Sequence, residues 1–440
     1  LGAYKSLTFG KHVGIREFAR IPVVAYYNRA SWLRCCMSCP LLYCASALRL
    51  ETSCRGTCTI LDSPLLLSLA GDEHVLWQAI LDSQTPLQRP RPARDPFYLT
   101  GKFNPYHDNL FSRLDLKEHK WAKSRTLAAY SGRKTLDLEV GVNNLIETLI
   151  AKIALKYAAP TANSQTACFL DLGKTSCYFT LDVITRLAFG REFSYLEHEK
   201  DHYNFLRSLH DLWPQMSTCI RKFLFSKPFL TLLGLKTTDK AGFGALIGVA
   251  EHYVAKRFSL DAKLQQDMLL TNIKGSMMKH GLNQTECETK GLFMIIAGTE
   301  STASTIRLAL VHTITTPRVY KALKQEITKA MANSTVSSPI SMVEARNLPY
   351  LRAVVYEGLR MRPLLIGYFL KVVPRSGEEI LGHHLPAGTA IGINMSAVLS
   401  LIDLFGPDAD LFRLERFLEL NEGRRKQIER NVKLAFGNGQ

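Results

Sequence analysis

Leu292-Phe293-Met294-Ile295-Ile296-Ala297-Gly298-Thr299-Glu300-Ser301-Thr302 is the stretch whose reading decides the fold. An apolar run meets a glycine, a carboxylate and three hydroxyls without a proline between them. The uninterrupted pattern extends from Glu286 to Thr316 and is closed by Pro317, which cannot continue a helix. At 1.5 Å per residue such a helix spans roughly 46 Å, the scale of a whole domain. An element that long either projects from the molecule or crosses its centre. The apolar run predicts the centre.

The polar interruption is costly as structure alone. Glycine inside a helix loses about 1 kcal/mol against alanine, and a carboxylate beside an apolar stripe needs a partner or water. A solvated face with an incidental glycine is the plain reading. The functional one has Ala297 and Gly298 admit a flat ligand to the backbone, while Glu300, Ser301 and Thr302 handle protons: a hydroxyl donates and is recharged, and a carboxylate links it to solvent.

Working outward, shorter helices are expected over 142–158, 180–189 (stopped by Gly190), 243–258 and 341–361, from apolar residues at helical spacing and Gly/Pro punctuation. Between Leu364 and Ile393, Pro374, Gly377, Gly382, Pro386 and Gly388 cut short apolar runs into a small sheet. Residues 1 to about 92 show no sustained period, and a faulty gene reading or retained intron is one explanation of that divergence.

The chain has 440 residues, 46% of them hydrophobic, and a formal charge of +16. That composition excludes a disordered protein. The basic residues are scattered without an aromatic-interleaved stripe, which argues against nucleic acid. No apolar run reaches the roughly 20 residues of a membrane span. Six of the ten cysteines lie from Cys35 to Cys58. Cys36-x-x-Cys39 with Cys54-x-x-x-Cys58 approaches a four-thiolate zinc pattern, but the spacing is irregular and reduced thiols explain it as well.

Glu357-Gly358-Leu359-Arg360 is an ordinary i,i+3 pair by itself, and Glu17-x-x-Arg20 and Glu422-x-x-Arg425 share its form. Its setting is an amphipathic helix stopped by Pro363, with Phe412-Arg413-Leu414-Glu415-Arg416-Phe417 downstream and Phe436-Gly437-Asn438-Gly439-Gln440 at the end. Taken in order with 297–302, these segments resemble the cytochrome P-450 monooxygenases, over about Asp95 to Gln440. Segments 129–132 and 179–185 look like filamentous-fungal members, including the pisatin-demethylase-like group.

The resemblance implies a mainly α fold: a helical haem domain over 93–440 with a long central helix and small β-sheets, after a divergent segment 1–92. It implies haem b, a lipophilic small-molecule substrate, and electrons from NADPH through a cytochrome reductase, met by a positive face. Glu300-Ser301 matches the family's acid-alcohol pair, with serine for threonine. Glu357, Arg360 and Arg416 match a buried structural triad, with Leu414 in place of a proline and so a looser turn.

Haem propionates would be met by Trp121 and Arg125, or in another register by Lys123, and by Lys371. Phe436 and Gly439 open the haem loop, and the iron's cysteine is expected about three residues past Gln440. The chain itself therefore supplies no metal ligand, and it reads as a fragment of a parent at the cytosolic face of the endoplasmic reticulum membrane, in fungal secondary metabolism. Substrate contacts would come from 97–111, 203–229, Phe293, Met294 and 364–366. An inactive remnant acting as a helical binding protein, and a haem-thiolate isomerase or dehydratase, are the alternatives.

Overall fold

The computed structural model describes residues 57–61, 66–70, 93–102, 107–130, 138–157, 169–210, 239–259, 273–362, 370–380, 383–391, 395–433 and 436. Cys35, Cys36, Cys39, Cys44, Cys54, the stretch 364–366, most of 203–229 and Gly439 lie outside them, and with them the zinc reading. Among the described residues no cluster of three acidic, histidine or cysteine side chains is arranged to hold a metal, and no helix is long and apolar enough to cross a membrane.

The fold is mainly helical. In chain order the helices are α1 (Leu116–Tyr130), α2 (Leu138–Lys152), α3 (Leu172–Phe189), α4 (Tyr195–His198), α5 (Gly242–Phe258), α6 (Ile273–Lys279) and α7 (Gln284–Thr315). There follow α8 (Pro317–Ala332), α9 (Met342–Arg346), α10 (Pro349–Met361), α11 (Met395–Val398), α12 (Ile402–Phe405), α13 (Glu415–Leu418) and α14 (Glu422–Lys433).

The long helix is α7, and it does run through the interior, packing on α3, α5 and α10. A reciprocal cap starts it: the Asn283 side chain accepts from the Glu286 N–H at 2.9 Å, and the Glu286 carboxylate accepts from the Asn283 N–H at 3.0 Å. Leu292, Ile295 and Ile296 enter one core with Tyr178, Leu181, Phe205 and Leu246. Met294 enters another with Ala129, Ala188, Val254 and Met277. Met294 is therefore core, and the substrate contact expected of it is replaced by packing.

Two helix expectations change. The single helix over 341–361 is split into α9 and α10, because Pro349 has no N–H to donate and its fixed φ suits the first position of a new helix. The Glu326 carboxylate from α8 then caps α10, accepting from the N–H groups of Tyr350 at 2.8 Å and Leu351 at 2.9 Å. The helix expected over 180–189 begins eight residues earlier, at Leu172, where Asp171 accepts from the Lys174 N–H at 3.0 Å. Gly190 ends it at φ 83°, a left-handed position glycine fills without a Cβ clash.

The strands are β1 (Thr57–Leu61), β2 (Leu66–Ala70), β3 (Ala93–Arg94), β4 (Lys371–Val372), β5 (Glu378–Ile380), β6 (His383–Leu385) and β7 (Ala390–Ile391). Five form an antiparallel sheet in the order β2-β1-β7-β4-β3, and β5 pairs with β6. The register of β3 on β4 sets Arg94 directly against Lys371. Like charges opposed in an antiparallel pair share a face and repel, so this pairing is unfavourable as structure alone.

Candidate active site

Three groups of charged side chains surround α7. The first is closed. Glu357 of α10 is 0% exposed, Arg360 1% and Arg416 of α13 5%. The Glu357 carboxylate accepts from Arg360 Nε at 2.7 Å, Arg360 Nη2 at 2.9 Å, Arg416 Nε at 3.0 Å and the Arg413 N–H at 3.0 Å. The remaining guanidinium hydrogens go to carbonyls: Arg360 Nη1 to Leu399 at 2.8 Å and Ala409 at 2.6 Å, and Arg416 Nη2 to Asp408 at 2.8 Å. A planar fork that reaches several acceptors is what arginine offers over lysine. The structure thus brings all three triad residues together and binds α10 to the loop 399–414. Leu414 does not loosen that loop, because its side chain is fully buried in the core with Phe405 and Phe417.

The second group lies between α3 and α7. Glu300 accepts from the Cys177 thiol at 3.1 Å and the Ser304 hydroxyl at 3.1 Å, and pairs with Arg307. Arg307 also donates to the Gly173 carbonyl at 3.3 Å. Burial, then the neighbouring Glu300 charge, pushes the Cys177 thiol up, so it stays a neutral donor. Ser301 is on another side of the helix, with its hydroxyl donating to the Ala297 carbonyl at 2.6 Å. Glu300 and Ser301 adjoin in sequence but share no hydrogen bond among the described residues.

Ala297 and Thr302 are exposed although Leu292, Ile295, Thr299 and Ala303 around them are buried. Ala297 therefore lies on an open face in mid-helix. Gly298 does not: a Cβ built on it would come within 2.7 Å of Ile184 Cγ1. Its missing side chain lets α3 and α7 close together, and that packing replaces the ligand approach expected of it.

The third group is cationic. Arg94 and Lys371, opposed across β3 and β4, both meet the buried Tyr98 ring, with Arg94 Cζ 3.8 Å and Lys371 Nζ 5.4 Å from its centre. Arg94 Nη2 donates to the Phe111 carbonyl at 2.7 Å, while its Nε is buried without a partner. Burial, then Arg94, pulls Lys371 down to about 8. Burial, then the charges of Arg94, Lys123, Lys371 and Arg113, pulls His119 down to about 4.

Arg125 is held elsewhere. It donates to the Gly281 carbonyl, pairs with Glu286 at 3.4 Å and lies 4.6 Å over the Trp121 ring, which is 52% exposed. These contacts tie α1 to the start of α7. Lys123 and Lys371 come together instead, with two residues the sequence reading missed, Arg94 and His119. The available signals were the i,i+4 spacing of His119 and Lys123 in α1 and a lone arginine before Asp95-Pro96.

A buried Arg94 set against Lys371 across a strand pair suits an anionic prosthetic group, since a buried charge is expensive until it is paired. A long interior helix with an open face, a triad-locked loop and that cationic site define a haem-binding oxidoreductase. The cytochrome P450 family model matches residues 93–440, and the chain belongs to that family. It is 58% identical over 352 residues to cytochrome P450 monooxygenase aba1 of Botryotinia fuckeliana strain B05.10, covering 79% of this chain and 68% of the relative. It is 52% identical over 353 residues to cytochrome P450 monooxygenase abl1 of Leptosphaeria maculans, covering 79% and 61%. The ABA1 monooxygenase of Pyricularia oryzae strain 70-15 is 37% identical, covering 79% and 68%.

The protein is accordingly a cytochrome P450 monooxygenase, of a family that uses a haem-thiolate cofactor, a reductase as electron donor and a small-molecule substrate.

Proposed function

We propose that this monooxygenase holds haem b by its propionates on Lys123 and Lys371, assisted by Arg94 and His119, and oxidises a lipophilic small molecule against the open face of α7. The observation that carries this reading is the pair of cations Arg94 and Lys371, opposed across β3 and β4 and both against the Tyr98 ring, with His119 of α1 in their field. Bound haem with a thiolate supplies the cleavage of dioxygen. The protein supplies the proton path and the pocket. Ser301 Oγ carries a proton beside Ala297. Glu300, only half-buried beside Arg307, exchanges protons with solvent one residue away. Phe111 and Phe293, stacked with centres 6.2 Å apart, supply apolar wall. Phe436 precedes the thiolate loop, which Gly439 continues.

The electron donor in this reading is an NADPH-cytochrome reductase at the endoplasmic reticulum membrane. The exposed side of α1, with Lys117, Lys120 and Trp121, suits an acidic flavoprotein.

A reduced carbon-monoxide difference spectrum of the full-length protein tests the proposal. A red-shifted thiolate Soret band is expected, and Lys371→Met should lower haem retention without moving the band. An absent band in the wild type overturns the reading.

A further inference from the structure

One cleft lies outside all three charge groups. It opens between α10, α13 and α14 and is lined by Pro349, Arg352, Phe417, Leu418, Arg425 and Glu429. Its charges do not cancel. Arg352 is answered by Glu429, whose Oε1 accepts from Arg352 Nε at 3.0 Å. Arg425 is answered by nothing: its Nε is buried without a partner, and among the described residues its side chain makes no hydrogen bond or ion pair. The other acids of this part of the chain are already engaged. Glu415 pairs with Arg318, Glu419 with Arg413, and Glu422, which the Arg425 charge reaches, with Lys426 at 2.6 Å.

Size and setting say what the cleft takes. Its empty volume of about 220 Å³ falls below the roughly 300–1,000 Å³ of a small-molecule site, so it suits the head of one side chain. Two guanidiniums against one carboxylate leave a single positive charge over, which one more carboxylate neutralises and a phosphate dianion overshoots. The planar arginine fork matches a carboxylate geometrically. Around the cleft, α14 exposes Arg424, Lys426, Arg430 and Lys433, and the one exposed acid of that helix is Glu422. A field of that sign steers an acidic protein surface toward the cleft.

We propose that Arg425 is a docking anchor for the electron donor: the cleft seats an aspartate or glutamate side chain of the acidic flavoprotein, while the exposed cations of α14 steer its approach. This rests on the reductase reading above and adds to it a contact apart from Lys117, Lys120 and Trp121 of α1.

The test is the binding kinetics of the full-length, haem-loaded protein with the flavin-binding half of an NADPH-cytochrome reductase. Arg425→Met should raise Kd about tenfold, mostly through faster dissociation, as a seated charge-assisted contact does. Arg424→Met removes an exposed cation of the same helix and should change Kd about twofold or less, through association alone. Arg425→Lys keeps the charge, loses the fork, and should raise Kd about threefold. An unchanged Kd in both Arg425 variants overturns the proposal. So does an equal loss in Arg424→Met and Arg425→Met, which would reduce the cleft to general surface charge. The carbon-monoxide band of each variant reports its folding, and if Arg425→Met loses the band, Arg425→Lys decides alone. Wild-type protein that shows the band and binds no reductase defeats the donor reading and the anchor with it, whereas binding that ignores Arg425 defeats the anchor only.

Discussion

The cage around Glu357 and the cluster around Arg94 are both buried concentrations of charge, and they are built on opposite principles. In the cage every strong charge meets its complement within the chain: one carboxylate is shared by two guanidiniums, whose other hydrogens end on carbonyls and Asp408. In the cluster Arg94 and Lys371 are opposed across a strand pair, and their charges, after burial, press His119 toward neutrality. The fold completes the first by itself. The second is where the proposed haem propionates would bind. A buried charge is thus evidence of function in proportion to how poorly the chain answers it.

That contrast predicts effects of opposite sign. Glu357→Gln leaves two buried guanidiniums facing each other without their counter-charge and should cost about 3–5 kcal/mol of stability. Urea unfolding would show it, and a variant within 1 kcal/mol of wild type would erase the distinction between the two regions. Lys371→Met removes a cation that repels its strand partner. It should leave the haem-free protein more stable by about 1–2 kcal/mol while weakening haem retention about tenfold, because the propionates lose a charge-assisted contact. A loss of stability in the haem-free form would mean that the cluster is answered within the chain after all.

The cage was more legible in the sequence than the cluster, for a physical reason. Glu357 and Arg360 are one helical turn apart, and Arg416 follows in a recognisable segment, so local spacing nearly specifies the network. The central helix was equally plain, because apolar content and a terminating proline are local signals. The cluster is assembled from β3, β4 and α1, and only the strand register puts Arg94 against Lys371. Nothing in the neighbourhood of Arg125 showed that it would reach the Gly281 carbonyl and Glu286. Gly298 misled similarly: its partner Ile184 is on α3, more than a hundred residues earlier, and a glycine that admits a helix reads the same as one that admits a ligand.

The smallest effect tests the cluster through pH alone. His119 titrates at about 4 in the folded protein against an ordinary 6.5, first through burial and then through Arg94, Lys123, Lys371 and Arg113. A depressed imidazole releases its proton in the folded state while the unfolded chain still holds one. The unfolded state therefore binds more protons between pH 4 and 6.5, and stability must rise with pH across that window. The penalty is complete below pH 4 and gone above 6.5. Because His119 is only half-buried, solvent screening reduces the effect to about 1 kcal/mol. Urea midpoints of the haem-free protein should climb over that interval in wild type and not in His119→Gln. Loading haem should flatten the wild-type curve as well, since propionate charge would favour the imidazolium that Arg94 and Lys371 oppose. If the slope persists undiminished with haem bound, the guest's negative charge is not placed beside His119, and the two regions differ for some reason other than the cofactor.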